Sequence, residues 1–551
     1  MNDVTAATLS PSGYADGFAR ANLPPPQDWP EFLFELPELR YPQRLNCAAE
    51  LLDGALARGW GERTALVGAR ERLRYAELAA RIDRIARVLR HDLGLATGSR
   101  VLVRGANCPT MAACILGVIK AGCIAVPTMP LLRARELGAI VDKARVNAVL
   151  CAASLASEVE TLGLGLPLLR FGDGVEDCVE APGGSLTLEA RMARHDAPFA
   201  APDTAADDVC LISFTSGTTG VPKGTMHFHR DLLAICDCFP RHVLGARADD
   251  VFIGTPPLAF TFGLGGLLLF PLRFGAAGVL VERLSPETLL AAIAAHRATV
   301  CFTAPTFYRQ MAARAAGRDV TSLRASVSAG EALPVATREA WQAATGLRMI
   351  DGIGATELLH IFISSAGDAI RPGATGKPVP GYRACILDAG GRPVGPGIIG
   401  RLAVKGPTGC RYLADERQRA YVQDGWNLTG DAYEMDADGY FYYRSRLDDM
   451  IISAGYNIAG AEVEEVLLRH PAVAECGVVG RQDPERGQVV EAHVVLRPGQ
   501  AGTEELAREL QEFVKTQIAP YKYPRAILFR EQLPRTETGK LQRFKLRSDA
   551  V

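Results

Sequence analysis

The chain has 551 residues, more than one hydrophobic core accommodates, and ordinary domain sizes predict three or four compact units, merged or separate. Apolar residues make up 48% and charged residues 22%, a globular balance that argues against long disordered tracts. Lys and Arg total 60 against 62 Asp and Glu, so the surface has no net field with which to gather nucleic acid or anionic lipid.

The first ten residues, MNDVTAATLS, have neither the basic nor the apolar region of a secretion signal. The 13 cysteines run from Cys47 to Cys476 with one C-x-C pair (Cys236, Cys238) and no C-x-x-C, which predicts free thiols in a reducing cytoplasm and no structural zinc. From 40 to 150 helical patterns (AAELLDGALARG, YAELAARIDRIARVLRHDLG) alternate with short apolar strands (RVLVRG, CIAVP), the sign of open α/β layering. After a Gly-rich stretch near 162–186 the alternation resumes, with strands expected at 209–214, 251–254, 278–281 and 299–302. The long apolar run Leu258–Val281 contains Pro271, Arg273 and five glycines, so it predicts buried strand and helix segments and not a membrane span. Past 430, GDAYEMDADGYFYYRSR sets an Asp438-Gly439 turn between two strand-like runs and predicts a β-hairpin. A polar joint, LDD, follows Arg446. Beyond it, a helix at about 460–469, strands at about 473–479 and 489–496 and a helix from about 503 predict a separate small domain.

The apolar run VCLISF leads directly into Thr215-Ser216-Gly217-Thr218-Thr219-Gly220-Val221-Pro222-Lys223-Gly224. Glycines let backbone N–H groups approach phosphate oxygens, hydroxyls donate further bonds and Lys223 supplies a counter-charge; the plain alternative is a flexible surface turn. The string is not a Walker A loop, which disfavours an ordinary P-loop NTPase. It does closely resemble the phosphate-loop signature of the adenylate-forming superfamily, which includes acyl-CoA synthetases, peptide-synthetase adenylation domains and beetle luciferases.

Four further motifs of that superfamily follow in order. Asp351-Gly352-Ile353-Gly354-Ala355-Thr356-Glu357 resembles the adenine and α-phosphate motif, in which Thr356 would bond the α-phosphate and Glu357 would hold Mg²⁺. Thr429-Gly430-Asp431 is similar to the ribose motif, and Arg446-Leu447-Asp448-Asp449 to the segment that binds ribose through Arg446 and turns about Asp448. Pro534-Arg535-Thr536-Glu537-Thr538-Gly539-Lys540 resembles the C-terminal motif whose lysine serves adenylation. The resemblance also implies nucleotide contacts at Gly330, Glu331 and Ala332, and a CoA-side loop with Ser453, Gly455 and Tyr456. Its implied architecture is α/β: a large layered N-terminal domain over 1–446, a hinge at 447–448 and a small mobile α+β C-terminal domain over 449–551. Three positions depart from the usual pattern: Gly460 stands for a proline, Arg401 for a glutamate and Ser445 for a glycine. None would touch ATP.

Pro256-Pro257-Leu258-Ala259-Phe260-Thr261-Phe262-Gly263 aligns with the stretch that lines the acid pocket and has no ionisable side chain, which suits a flat apolar acid. The expected lining is Phe260, Phe262, Gly263, Ala329, Gly330 and His360. DGIGATELLHIF and HFHRDLLAICD, from His227, are similar to the benzoate-CoA ligase group. The runs Asn22–Pro26, Trp29–Phe32 and Arg44–Asn46 resemble 2-aminobenzoate-CoA ligases within it, so 2-aminobenzoate ranks first and benzoate next. The implied reaction consumes ATP with Mg²⁺, forms aroyl-AMP and transfers the acyl group to CoA. Its rivals are a stand-alone ligase loading a carrier protein, a luciferase-like oxygenase and a non-catalytic adenylate-binding protein. The expected location is the cytoplasm; a homodimer is left open.

Overall fold

The structure is a computed structural model and describes residues 9–172, 187–215, 222–453, 456–483, 486–518, 520–535 and 541–548. Four sheets organise it. The expected strands at 209–214 and 251–254 are found at Val209–Thr215 and Val251–Gly254, and those at 278–281 and 299–302 at Ala277–Val279 and Val300–Thr303. Near-continuous apolar runs such as these are what a parallel strand covered on both faces requires.

The first sheet has six strands. Leu168–Phe171, Ala148–Ala152, Arg100–Arg104, Ile124–Thr128 and Val209–Thr215 lie parallel, and Lys223–Phe228 closes the edge antiparallel to Val209–Thr215. Nine strands make the second sheet, with a parallel centre from Thr64–Val67 through Ala277–Val279, Val251–Gly254, Val300–Thr303 and Ala325–Ala329 to Ile350–Gly354. The apolar stretch from Leu258 folds as buried helical turns, Thr261–Gly263, Leu264–Leu269 and Phe270–Phe274, before its strand. No helix among the described residues is long and apolar enough to cross a membrane.

A third, antiparallel sheet contains Gly400–Lys405, Trp426–Met435 and Phe441–Arg446; the last two form the hairpin expected around Asp438-Gly439. The small C-terminal unit has its own sheet, in which Val473–Asp483 and Gly487–Leu496 pair over a longer register than the sequence indicated. Helices Gly460–Leu467 and Glu504–Gln517 cover that sheet around Val463, Val478, Val494 and Leu510. Glu475 at its edge is held twice: Oε1 lies 3.4 Å from Arg309 of the large domain, and Oε2 accepts from Arg535 of its own domain at 2.7 Å. The departures sit without disruption. Ser445 is buried in the hairpin, Arg401 donates to the Asp388 carbonyl, and Gly460 lies against the Val478 carbonyl, where a Cβ would come within 2.9 Å.

One charge lies entirely inside the large domain. Arg411 has no exposed surface; it donates to Asp231, also fully buried, and its guanidinium sits 3.9 Å above the Phe228 ring. A buried ion left without its partner costs far more than the intact pair contributes, so Asp231→Asn should destabilise the large domain by about 3–5 kcal/mol. A lower urea midpoint at unchanged slope checks this; a loss under about 1 kcal/mol would mean that Arg411 finds another acceptor.

Candidate active site

Strand Val209–Thr215 brings Thr215 opposite Lys223 on the antiparallel edge strand. The Thr215 hydroxyl is buried with no hydrogen-bond partner among the described residues. Ser216, Gly217, Thr218, Thr219 and Gly220 lie outside the described residues, as do Gly455 and Lys540. Lys223 Nζ donates to the Tyr412 hydroxyl at 3.1 Å and lies 3.9 Å from Glu357 Oε1. Tyr412 in turn donates to that same oxygen at 2.5 Å. Burial, and then the charge of Glu357, push the Tyr412 hydroxyl well above the usual phenol range, so it remains a donor.

Glu357 follows strand Ile350–Gly354. Burial pushes the Asp351 carboxyl on this strand up to about 7, against the opposing pull of Arg338. After the strand the chain bends sharply: Leu359 N–H bonds the Thr356 carbonyl, and Leu359 itself takes φ 71°. A left-handed leucine costs roughly 1–2 kcal/mol. The strained turn keeps Glu357 within reach of Tyr412 while His360 enters the core.

The hairpin places Asp431 directly opposite Arg446, and Arg446 Nη1 donates to Asp431 Oδ1 at 2.9 Å and to the Thr429 carbonyl at 3.0 Å. Gly430 between them has φ 78°, a conformation that favours glycine, and a Cβ there would come within 2.8 Å of the Arg446 guanidinium and push it from its place. Tyr421 joins this pair to the first group. Its ring packs edge-on to Tyr412 at 5.8 Å, and its hydroxyl, raised chiefly by burial and then by Glu357, also feels Asp431.

Ala329 ends a buried strand and Gly330 follows with φ 89°. The Glu331 carboxylate is already committed, accepting from Thr306 N–H at 3.2 Å and its hydroxyl at 2.7 Å. Both bonds fall on Oε2. Asp448 lies in the turn Leu447–Asp449, and Ser453 and Tyr456 lie on the two strands that follow it.

His360 stands in a ring of phenylalanines: Phe270 at 4.5 Å between centroids, Phe262 at 5.6 Å, Phe239 at 5.9 Å and Phe302 at 6.3 Å. Gly265 touches it from the helical turn, where a Cβ would come within 2.4 Å of the imidazole. Gly263 packs against the Pro256 and Pro257 carbonyls, and Phe260 is half-buried beside it. Neither ring nitrogen of His360 makes a hydrogen bond of full geometry among the described residues; burial holds its pKa down at about 3 against a weaker upward pull from the Phe262 backbone. Sequence reasoning missed Phe239, Phe270, Phe302, Gly265, Tyr412 and Tyr421. The phenylalanines sit in runs that pattern as plain core, and neither tyrosine falls in a motif.

The family description "AMP-binding enzyme" matches residues 55–412, and "AMP-binding enzyme C-terminal domain" matches 462–540. A benzoate–CoA ligase of Thauera aromatica is 38% identical over 523 residues, 93% of this chain and 97% of that protein. The structure of the anthranilate CoA ligase AuaEII with anthranoyl-AMP superposes with a TM-score of 0.86 at 33% identity, covering 94% of this chain and 99% of that one. That of a benzoate CoA ligase from Burkholderia xenovorans LB400 gives 0.81 at 33% identity over 91% and 100%. The chain belongs to the AMP-binding enzyme family and, within it, to the benzoate-CoA ligase group, with the large and small domains of adenylate-forming enzymes.

The buried imidazoles weaken the fold toward acid, while Asp351, with its raised carboxyl, acts in the opposite sense over the same range. Folding holds His360 and also His227 below the ordinary histidine pKa, so below about pH 6.5 the unfolded chain takes up protons that the folded chain refuses. Their contribution is complete above about pH 6.5 and is lost as pH falls toward the folded values. His360→Leu should flatten the loss between roughly pH 6 and 4 by up to about 1.4 kcal/mol per pH unit, read from urea titrations. An unchanged slope would mean that His360 titrates alike in both states.

Proposed function

We propose that this protein activates 2-aminobenzoate, with benzoate as the next-best acid, forming aroyl-AMP from ATP and then the CoA thioester. The observation that carries the reading is His360: a neutral imidazole with no side-chain hydrogen-bond partner among the described residues, inside a box of phenylalanines. Flat rings stack on such walls, and the box presents no charge that would favour an ammonium or a second carboxylate. An aryl amine is neutral at pH 7, so it can meet an imidazole nitrogen without bringing a charge into the pocket.

In the first half-reaction the carboxylate oxygen attacks the α-phosphorus and pyrophosphate leaves, so the chain must stabilise negative charge spread over phosphoryl oxygens. Thr356, Lys223, Lys540 and the glycine loop are assigned that work, and Asp431 with Arg446 the ribose hydroxyls. Glu357 fits Mg²⁺: Tyr412 takes Oε1 alone, and Oε2 makes no hydrogen bond among the described residues. One carboxylate plus phosphate oxygens is the usual way that ion is held. Bound there, Mg²⁺ would neutralise charge on the leaving pyrophosphate. In the second half-reaction the CoA thiol attacks the acyl carbon and AMP leaves, with Asp448 as pivot between the two domain orientations and Ser453, Gly455 and Tyr456 on the CoA side. No protein nucleophile is required.

With MgATP, CoA and a panel of benzoates, the products should be AMP, pyrophosphate and an aroyl-CoA of the expected mass, formed fastest from 2-aminobenzoate. Stoichiometric ADP would refute the adenylate route. Turnover of other benzoates with none of 2-aminobenzoate would refute only the choice of acid.

Lys540→Ala separates the two halves. Loss of one charge-stabilising donor should slow adenylation by about 10²–10³. CoA attack on supplied aroyl-AMP should change little, because rotation about Asp448 would carry the Lys540 segment away from the α-phosphate before that step. Rapid-quench measurement of each half decides it; equal loss in both would remove the assignment.

A further inference from the structure

Lys223 and Glu357 carry opposite charges 3.9 Å apart, yet no direct hydrogen bond joins them. A charge-assisted N–H···O bond closes to about 2.7–2.9 Å. The Tyr412 hydroxyl occupies the gap, accepting from Lys223 Nζ at 3.1 Å and giving its one proton to Glu357 Oε1. We propose that Tyr412 is a positioning residue whose hydroxyl keeps Lys223 and Glu357 from pairing, so that the ammonium stays available to phosphate and the carboxylate to Mg²⁺.

The phenol is built to stay where it is. The Tyr412 backbone N–H donates to Gln418 Oε1 at 2.9 Å, and the residue pairs with Thr225 on the edge strand two residues beyond Lys223. Its neighbour Arg411 is fixed by the buried bond to Asp231. The ring packs on Tyr421, and Lys223 Nζ lies 5.1 Å from its centroid, so the aromatic body guides the ammonium as well. The Lys223 side chain is 24% exposed and that of Glu357 10%, so their attraction is poorly screened and only an intervening group keeps them apart.

Without the hydroxyl, the lysine and glutamate would close on each other. The direct pair would satisfy both charges and withdraw both from the nucleotide. The inference rests on the assignment of Glu357 to Mg²⁺, and the test separates the two.

Binding of α,β-methylene-ATP, which cannot release pyrophosphate, is measured by calorimetry against Mg²⁺ concentration, so the readout is occupancy and not turnover. Tyr412→Phe keeps the ring and should raise the Mg²⁺ half-saturation by about tenfold, the equivalent of one charge-assisted hydrogen bond gained by the competing lysine. Lys223→Met, in the otherwise native chain, takes a counter-charge from the phosphates and should weaken nucleotide binding at every Mg²⁺ concentration, so it serves as the reference for the double variant. In Tyr412→Phe/Lys223→Met, the half-saturation should return to within about twofold of Lys223→Met alone, a strongly non-additive cycle. An unchanged half-saturation in Tyr412→Phe, or additive effects in the double variant, would each overturn the inference while leaving the ligase reading intact. Glu357→Gln with an unchanged Mg²⁺ requirement would overturn the assignment of Glu357, and this inference with it.

Discussion

Arg411 carries a permanent charge where no water reaches it, and the arrangement of the active site depends on how that charge is held. Its partner Asp231 comes from the helix after the edge strand, and its guanidinium lies on Phe228 at the end of that strand. The pair therefore staples the segment around residues 410–413 to the antiparallel edge of the six-stranded sheet. Tyr412 is the next residue. Once Arg411 is fixed, the phenol has one place to go, between the lysine at the start of the edge strand and the glutamate behind the strained Leu359 turn. Such a pair adds little net stability compared with a hydrophobic substitute of the same shape, so its value here is geometric.

Charge and apolarity are kept in separate compartments. On one side of Leu359, Glu357 belongs to a polar cluster with Lys223 and two tyrosines; on the other, His360 is the single polar ring among four phenylalanines. Three residues of chain make that change of environment, and the positive φ of Leu359 makes it possible. An acid whose carboxylate must reach phosphate while its ring stays dry needs such a boundary.

Much of this was legible in the sequence. Six strands of the two large sheets read clearly because fully covered parallel strands are unbroken apolar runs, whereas Ala325–Ala329 and Ile350–Gly354, broken by serines and glycines, did not. The hairpin at Asp438-Gly439 was legible from its turn residues, but the Asp431–Arg446 pairing was not: the turn alone would set Asp431 opposite Ser445, and a bulge between Ala432 and Tyr433 shifts the register by one residue. Tyr412 could not be read, since Glu357 lies 55 residues earlier and only the tertiary fold joins them. Phe239, Phe270 and Phe302 come from three elements whose patterns are those of any core, and their convergence on His360 has no local signature. The extension of Val473–Asp483 beyond its expected end likewise comes from its partner strand Gly487–Leu496, not from its own residues.

The two grips on Glu475 have unequal futures. Arg535 travels with the small domain, whereas Arg309 belongs to the large one, so any rotation about the joint at residues 447–448 would break the second contact and leave the first intact. The side chains of Arg309 and Glu475 are about one-third exposed, within reach of dissolved ions. At physiological ionic strength the screening length is about 8 Å, and it shortens as salt rises. Arg444 with Glu462, 3.7 Å apart, is a second ion pair across the same joint, so added salt would loosen both pairs between the domains and leave the Arg309 bond to the Ala474 carbonyl as the uncharged acceptor contact.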